Sequence, residues 1–303
     1  MKGRKTGDGG DLQKRVPAVF CPVPDVVALP RFWCSCAGRY ALTPSFGADI
    51  LKKKKVEGRQ DITKEYTTEE LTGRWEALRE IRNLMGRMSQ ETLYRGEARF
   101  FDLFWSTQRQ DVCLGVNEGW YLGADSIRRY YDAAAARTAL SDRVLRRRFP
   151  KQAKEGFGLG QMDLKPLSSD IVEVAGDGQT AKGLWAVQGS DCRFGAEGPL
   201  SYWTIGVYAA DFCLENGAWK LWHLLDLKDV DCPSGECWWL PRRDRPAEPG
   251  FEELADAKLP APDAAAPLHM LWTPGRVGGR MPECPQPYEH FSDTFTYGYE
   301  EVR

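Results

Sequence analysis

The chain has 303 residues, 42% of them apolar, which is enough for one large domain or two small ones with a proper core. Lysine and arginine total 41 against 43 acidic residues, a formal charge of −2, so no overall field draws the chain to phosphate backbones or anionic lipid, and nucleic acid is not an expected partner. No apolar run approaches the roughly 18 residues of a membrane span. The most apolar early stretch, Val16 to Leu29, is interrupted by Pro17, Pro22 and Pro24. Neither a membrane contact nor a secretory signal is expected, and the expected location is the cytoplasm.

Residues 1–66 carry several prolines and the run Lys52-Lys53-Lys54-Lys55, with no sustained period of 2 or 3.6. They read as a flexible, solvated extension. At Thr67-Thr68-Glu69-Glu70 the pattern changes to a helix start, a threonine ahead of acidic residues. Leu78, Ile81, Met85 and Met88 then follow at steps of three and four, one apolar stripe on a helix. The pattern runs on through Tyr94, Phe101, Phe104 and Trp105, with a break near Gly96.

Val112, Leu114 and Val116 alternate as in a strand, and Asn117 and Gly119 mark a turn or bulge before Trp120 and Tyr121. A third helix begins at Gly123-Ala124-Asp125-Ser126 and is carried by Ile127, Tyr130, Tyr131 and the alanines from Ala133 to Ala136. From Leu140 to Lys165 the signals are mixed. Gly156, Gly158 and Gly160 follow no strand and precede no helix, so they read as a loop rather than a phosphate cradle.

From Asp170 the period becomes 2. Ile171 to Val174, the turn Ala175-Gly176-Asp177-Gly178 and Thr180 to Gln188 make one hairpin. Tyr202 to Cys213, the turn Glu215-Asn216-Gly217 and Trp219 to Leu227 make a second, with Asn-Gly supplying the positive φ values of a tight connection. Helices followed by antiparallel hairpins predict an α+β fold over residues 67–241. Residues 242–303 are rich in proline and alanine and read as a tail wrapping that domain.

Nine cysteines, an odd number without framework spacing, read as buried free thiols, among them Cys113, Cys192 and Cys213. Cys34 with Cys36, and Cys232 with Cys237, fall short of the four ligands of a structural zinc site, and none of the three histidines lies beside either pair. No metal and no cofactor is expected; the chain also lacks a dinucleotide or nucleotide loop.

One ordered set of segments points to a family. It comprises Ile81-Arg82-Asn83-Leu84-Met85, Leu103-Phe104-Trp105, Asn117 to Gly123, Ile171 to Gly178, Ala181-Lys182-Gly183-Leu184-Trp185 and Trp219-Lys220-Leu221-Trp222-His223-Leu224. Together they resemble the SnoaL-like branch of the nuclear transport factor 2 superfamily, from about Thr67 to Trp239. The tail segment Pro287 to Phe295 is similar to longer members of that branch. The resemblance implies a cone: three N-terminal helices capping a strongly curved, mixed, largely antiparallel sheet, with a small apolar molecule bound inside. It further implies pairing of subunits through the sheet, hence a homo-oligomer. Members include polyketide cyclases, dehydratases, ketosteroid isomerases and lyases acting on aromatic compounds, so the resemblance implies fold more narrowly than reaction.

Along the last strand, Trp219, Leu221, His223, Leu225 and Leu227 share one face, and Lys220, Trp222, Leu224, Asp226 and Lys228 share the other. If the first face lines the cone, His223 is placed to move a proton near neutral pH. A core histidine satisfied by a backbone carbonyl is the alternative. Asp226, on the opposite face, is not its natural partner without a bulge. Glu91, Tyr94 and Glu97 recur at steps of three on the first helix region, which in related dehydratases supplies a tyrosine and an acidic residue or histidine; here it has no histidine. Glu118, at the turn before Trp120, reads either as an inward base of raised pKa or as a turn cap.

The expected catalytic residues are therefore His223, Tyr94 and Glu118. Glu91, Trp120, Trp185, Trp203, Leu221 and Leu225 are expected to line the substrate pocket. The expected activity is a cofactor-independent lyase, dehydratase or isomerase reaction on a hydrophobic aromatic or polycyclic small molecule. A non-catalytic binding or dimerising module is the other reading.

Overall fold

Thr67 opens helix α1 (Thr68–Leu93) with a reciprocal cap, Glu70 N–H donating to Thr67 Oγ1 at 3.2 Å and Thr67 N–H donating to Glu70 Oε2 at 2.8 Å. Two amides that no helical carbonyl can reach are thereby satisfied. The computed structural model describes residues 66–93, 99–154, 159–236, 245–265, 269–272 and 282–300. Ile81, Met85 and Met88 of α1 are buried against Phe100, Phe101 and Phe104 of the short helix α2 (Phe100–Phe104) and against the sheet. Helix α3 (Gly123–Arg148) runs further than its sequence signals suggest. The buried Val144 and Leu145 at its far end pack on Phe251 and Leu254, which lie beyond the last strand, so the stripe has no partner near it in sequence.

Seven strands form one sheet: β1 (Cys113–Val116), β2 (Gly119–Leu122), β3 (Met162–Leu164), β4 (Leu167–Val174), β5 (Thr180–Gly195), β6 (Gly198–Glu215) and β7 (Ala218–Pro233). The order is β2-β1-β7-β6-β5-β3, with β4 also on β5. Among these pairs only β1 with β7 is parallel. At the β6–β7 turn Asn216 and Gly217 take φ values of 52° and 77°, the left-handed conformation for which that pair is suited. The fold class expected from the sequence, helices on a bent, mixed, mainly antiparallel sheet, is the one observed. No helix among the described residues is long and apolar enough to cross a membrane.

Bulges bend the long strands, and one of them decides the fate of β7. Asp211 pairs with His223 but Phe212 pairs with Leu221, leaving Trp222 as an extra residue. An extra residue reverses the alternation beyond it. Trp219 and Leu221 lie in the core beneath the helices; past the bulge it is Leu224 that continues in that core, while Leu225 and Leu227 belong to a second apolar cluster.

That second cluster, Cys113, Trp120, Ala209, Leu225, Leu227 and Tyr297, lies under the segment 282–300, with Phe295 against it. The segment also holds the turn between β4 and β5, where Gly176 and Asp177 donate backbone N–H groups to the Tyr288 and Glu289 carbonyls. Earlier in the tail, Asp263 accepts from the Leu122 amide at 2.8 Å, from the Ser126 hydroxyl and from Arg129 at 3.0 Å. The central strands are thus buried on both faces, one by helices and one by the tail.

Candidate active site

The helix-covered face of the sheet is not completely filled. A cavity of about 230 Å³ opens between Met88 and Thr92 of α1, Tyr130 and Tyr131 of α3, and Tyr208, Leu224 and Asp226 of the sheet. It runs into a wider mouth of about 650 Å³ that shares Tyr130, Arg137, Lys165, Arg193, Asp226 and Lys228 and is rimmed by Pro260 and Pro262 of the tail. Apolar and aromatic side chains share the wall with about as many polar and charged ones, so the hollow offers groups that could orient a small molecule as well as surface to hold it.

Tyr208 and Asp226 are direct cross-strand partners on β6 and β7, and the Tyr208 hydroxyl donates to Asp226 Oδ2 at 3.4 Å. That contact is long for an O–H···O bond, leaving the carboxylate unsaturated as an acceptor. Burial and, after it, the Asp226 charge push the Tyr208 phenol well above its usual range, so it stays a donor. Burial does the same to Tyr130, again with Asp226 the next cause. Lys165 follows β3, its carbonyl accepting from Ser89 Oγ of α1 at 2.6 Å. Burial opposes its charge, but the Asp163 and Asp226 carboxylates outweigh that and hold the ammonium well above the ordinary lysine range. One wall of the cavity therefore carries a carboxylate, two protonated phenols and an ammonium.

His223 is placed elsewhere. Beyond the bulge at Trp222 it points to the tail-covered face, where its ring is 5% exposed. Its Nδ1 lies 2.8 Å from Asp211 Oδ2 and 3.2 Å from Thr296 Oγ1, its ring is 4.5 Å from that of Trp222, and Gly298 is pressed against it. The expectation that His223 looks into the cone is corrected here: side chains wall it in, and it lines neither cavity. Its neighbours make a buried polar row. Lys182 Nζ donates to Asp211 Oδ1 at 2.6 Å with both side chains fully buried, and Cys113, paired in register with His223, has its thiol pushed up to about 12, chiefly by burial.

The remaining expected residues divide as follows. Tyr94 lies outside the described residues. Glu118 is exposed on the β1–β2 turn and borders only the wide mouth. Glu91, on α1, borders neither cavity, although Met88 and Thr92 of the same helix do. Trp120 and Leu225 belong to the tail-covered cluster, Trp185 and Leu221 to the filled core under the helices, and Trp203 is 50% exposed. None of them lines either cavity: alternation identifies faces, but cannot tell a filled region of a face from a hollow one or say what covers it. The residues that do converge, Tyr130, Lys165, Tyr208 and Asp226, were missed. The available signal was a charged Asp226 set between Leu225 and Leu227 on the face that Leu224 continues, where an ionisable group is costly unless it is used or paired.

Fold and site together define a helix-capped, bent-sheet protein with an open cavity of mixed polarity. Among solved structures, the chain is similar to a hexachlorocyclohexane dehydrochlorinase (LinA), with 15% identity over 56% of this chain and 97% of that one and a TM-score of 0.41. It is also similar to a putative scytalone dehydratase from Novosphingobium aromaticivorans, with 12% identity over 58% and 96% of the two chains and a TM-score of 0.38. A third is an NTF2-like protein with a cystatin-like fold from the same organism, with 16% identity over 55% and 92% and a TM-score of 0.35. No protein-family model matches the chain, and no curated protein sequence does.

Proposed function

We propose that the cavity beneath α1 and α3 performs cofactor-independent acid–base chemistry, as a lyase, dehydratase or isomerase, on a small molecule with an aromatic or polycyclic body. The observation that carries this reading is the Tyr208–Asp226 cross-strand pair at a cavity wall that also presents Lys165 and Tyr130. Asp226 takes a proton from a substrate carbon beside a carbonyl. The electron pair moves onto the carbonyl oxygen, where the Lys165 ammonium and the Tyr130 hydroxyl supply charge and a hydrogen bond. Return of the proton from Asp226 to another carbon gives isomerisation; expulsion of a neighbouring hydroxyl, which takes the proton held by Asp226 and leaves as water, gives dehydration.

Burial supports this division of labour. The same desolvation that keeps both phenols protonated strengthens the hydrogen bond of Tyr130 to a developing oxyanion and leaves Tyr208 as a donor to Asp226. Phe100, Tyr131 and Leu224 offer apolar surface to the substrate body.

The test is a panel of hydroxylated and methoxylated aromatic and steroid-like compounds assayed with the wild type, Asp226→Asn and His223→Ala. Turnover lost in Asp226→Asn but kept per folded molecule in His223→Ala is the expected result. Equal turnover by wild type and Asp226→Asn removes the proposal. Binding across the panel without turnover by any protein favours the non-catalytic binding module instead.

A further inference from the structure

Where β3 meets β5 along the same cavity, two carboxylates face each other. Asp163 of β3 pairs in register with Asp191 of β5. Like charges directly opposite on a sheet are destabilising, an arrangement that folds tolerate chiefly where it serves a site. Each carboxylate has one oxygen matched to a cation: Arg193 Nε donates to Asp191 Oδ2 at 2.8 Å, and Lys165 Nζ lies 3.5 Å from Asp163 Oδ2. The other oxygen of each, Oδ1, is buried without a hydrogen-bond partner, and so is Nε2 of Gln161, two residues before Asp163. Asp191 is only 4% exposed, and all three side chains line the 230 Å³ cavity.

A buried donor or acceptor left unpaired is costly, so three orphan atoms lining one cavity call for a partner. Its chemistry follows from theirs. The two Oδ1 atoms need donors, while Gln161 Nε2 needs an acceptor. An ammonium group cannot accept from Gln161, and a cationic ligand would meet Lys165 and Arg193, which already stand against these carboxylates, Arg193 being shared with Asp231. A hydroxyl both donates and accepts and adds no charge. We infer that Gln161, Asp163 and Asp191 form a subsite for two neighbouring hydroxyl groups, making the ligand a vicinal diol on a ring. This inference rests on the reading of the cavity as the substrate site and narrows its substrate class. Burial raises the Asp191 carboxyl while Arg193 pulls it back, consistent with a carboxylate that gains from an additional donor.

The experiment measures binding rather than turnover, so its failure is distinct from failure of the acid–base proposal. Catechol, guaiacol and veratrole share one ring and offer two, one and no hydroxyl donors. Each is titrated into the wild type, Asp163→Ala and Gln161→Ala by calorimetry and ligand-observed NMR. Asp191→Ala is included with its unfolding curve as a folding control. Expected is binding of catechol to the wild type about tenfold tighter than guaiacol, the equivalent of roughly one charge-assisted hydrogen bond. Veratrole should be weaker still, and the preference should disappear in Asp163→Ala. Equal binding of all three compounds overturns the inference. So does a catechol preference that survives Asp163→Ala and Gln161→Ala, and so does no binding at all, which would mean that the orphan atoms serve only water.

Discussion

His223 Nδ1 and Asp211 Oδ2 are 2.8 Å apart on adjacent strands, beneath the tail segment that supplies Thr296 and Gly298. Asp211 is the hub of that contact. It also accepts from Lys182 Nζ at 2.6 Å, from the Thr296 hydroxyl at 3.0 Å and from the Tyr297 amide at 2.8 Å. The arrangement satisfies a fully buried carboxylate and at the same time fixes the tail to the sheet.

His223 should therefore act on stability and not on chemistry. His223→Ala is expected to lower the unfolding free energy by about 1–3 kcal/mol, the range for a lost hydrogen bond to a charged group, while turnover per folded molecule stays unchanged. Gly298→Ala places a Cβ 2.8 Å from the imidazole Cε1, so it should loosen the same clasp. Hydrogen exchange over residues 282–300 reads both effects; a variant that loses activity with no change in exchange or stability would contradict this role.

The Lys182–Asp211 pair should show the asymmetry of buried ion pairs. Asp211→Ala leaves the Lys182 ammonium without its counter-charge at 0% exposure and is expected to cost about 3–5 kcal/mol. Replacing both partners, as Lys182→Met with Asp211→Leu, should recover much of that loss. Urea unfolding of the two variants decides; a double variant no better than Asp211→Ala would assign the cost to lost tail contacts rather than to the stranded charge.

Glu215 gives a pH prediction. Burial alone would raise its carboxyl, but bonds from the Ser106 and Thr107 hydroxyls and from the Thr107 and Gln108 amides outweigh it and hold the pKa below 4.5. Ser106 Oγ donates at 2.6 Å and Thr107 Oγ1 at 2.7 Å. A carboxyl with a lower pKa folded than unfolded stabilises fully above the unfolded value, and the contribution is lost as pH falls through the folded value. Glu215→Gln should thus lose about 1–3 kcal/mol at neutral pH and show a shallower fall in stability below pH 4.5. Unfolding curves parallel to the wild type down through acid would refute the linkage.

In the cavity, Tyr208→Phe keeps the ring and removes the hydroxyl that donates to Asp226 at 3.4 Å. If that hydroxyl positions the carboxylate, kcat should fall about tenfold while KM changes little, a modest part of the 10²–10⁴-fold range for general acid–base groups. A KM effect alone would reassign Tyr208 to substrate binding.

Much of the scaffold was written in local chemistry. The Thr67–Glu70 cap, the Ile81–Met85–Met88 stripe and the Asn216-Gly217 turn each depend on residues a few positions apart, so period and turn type reveal them without any tertiary knowledge. The site depends on distant residues. A period of 2 divides β7 into two faces but does not say which adjoins a hollow, and one extra residue at Trp222 exchanges the faces beyond it. The apolar pattern of His223, Leu225 and Leu227 is explained by a cover whose Thr296 lies 73 positions further along the chain, while the cavity falls to Asp226 on the other side. Local periodicity thus determined the helices, strands and turns. Only the folded chain, by bringing tail and helices to opposite faces of the same strands, decided which charged residue is buried as a clasp and which is left facing open volume.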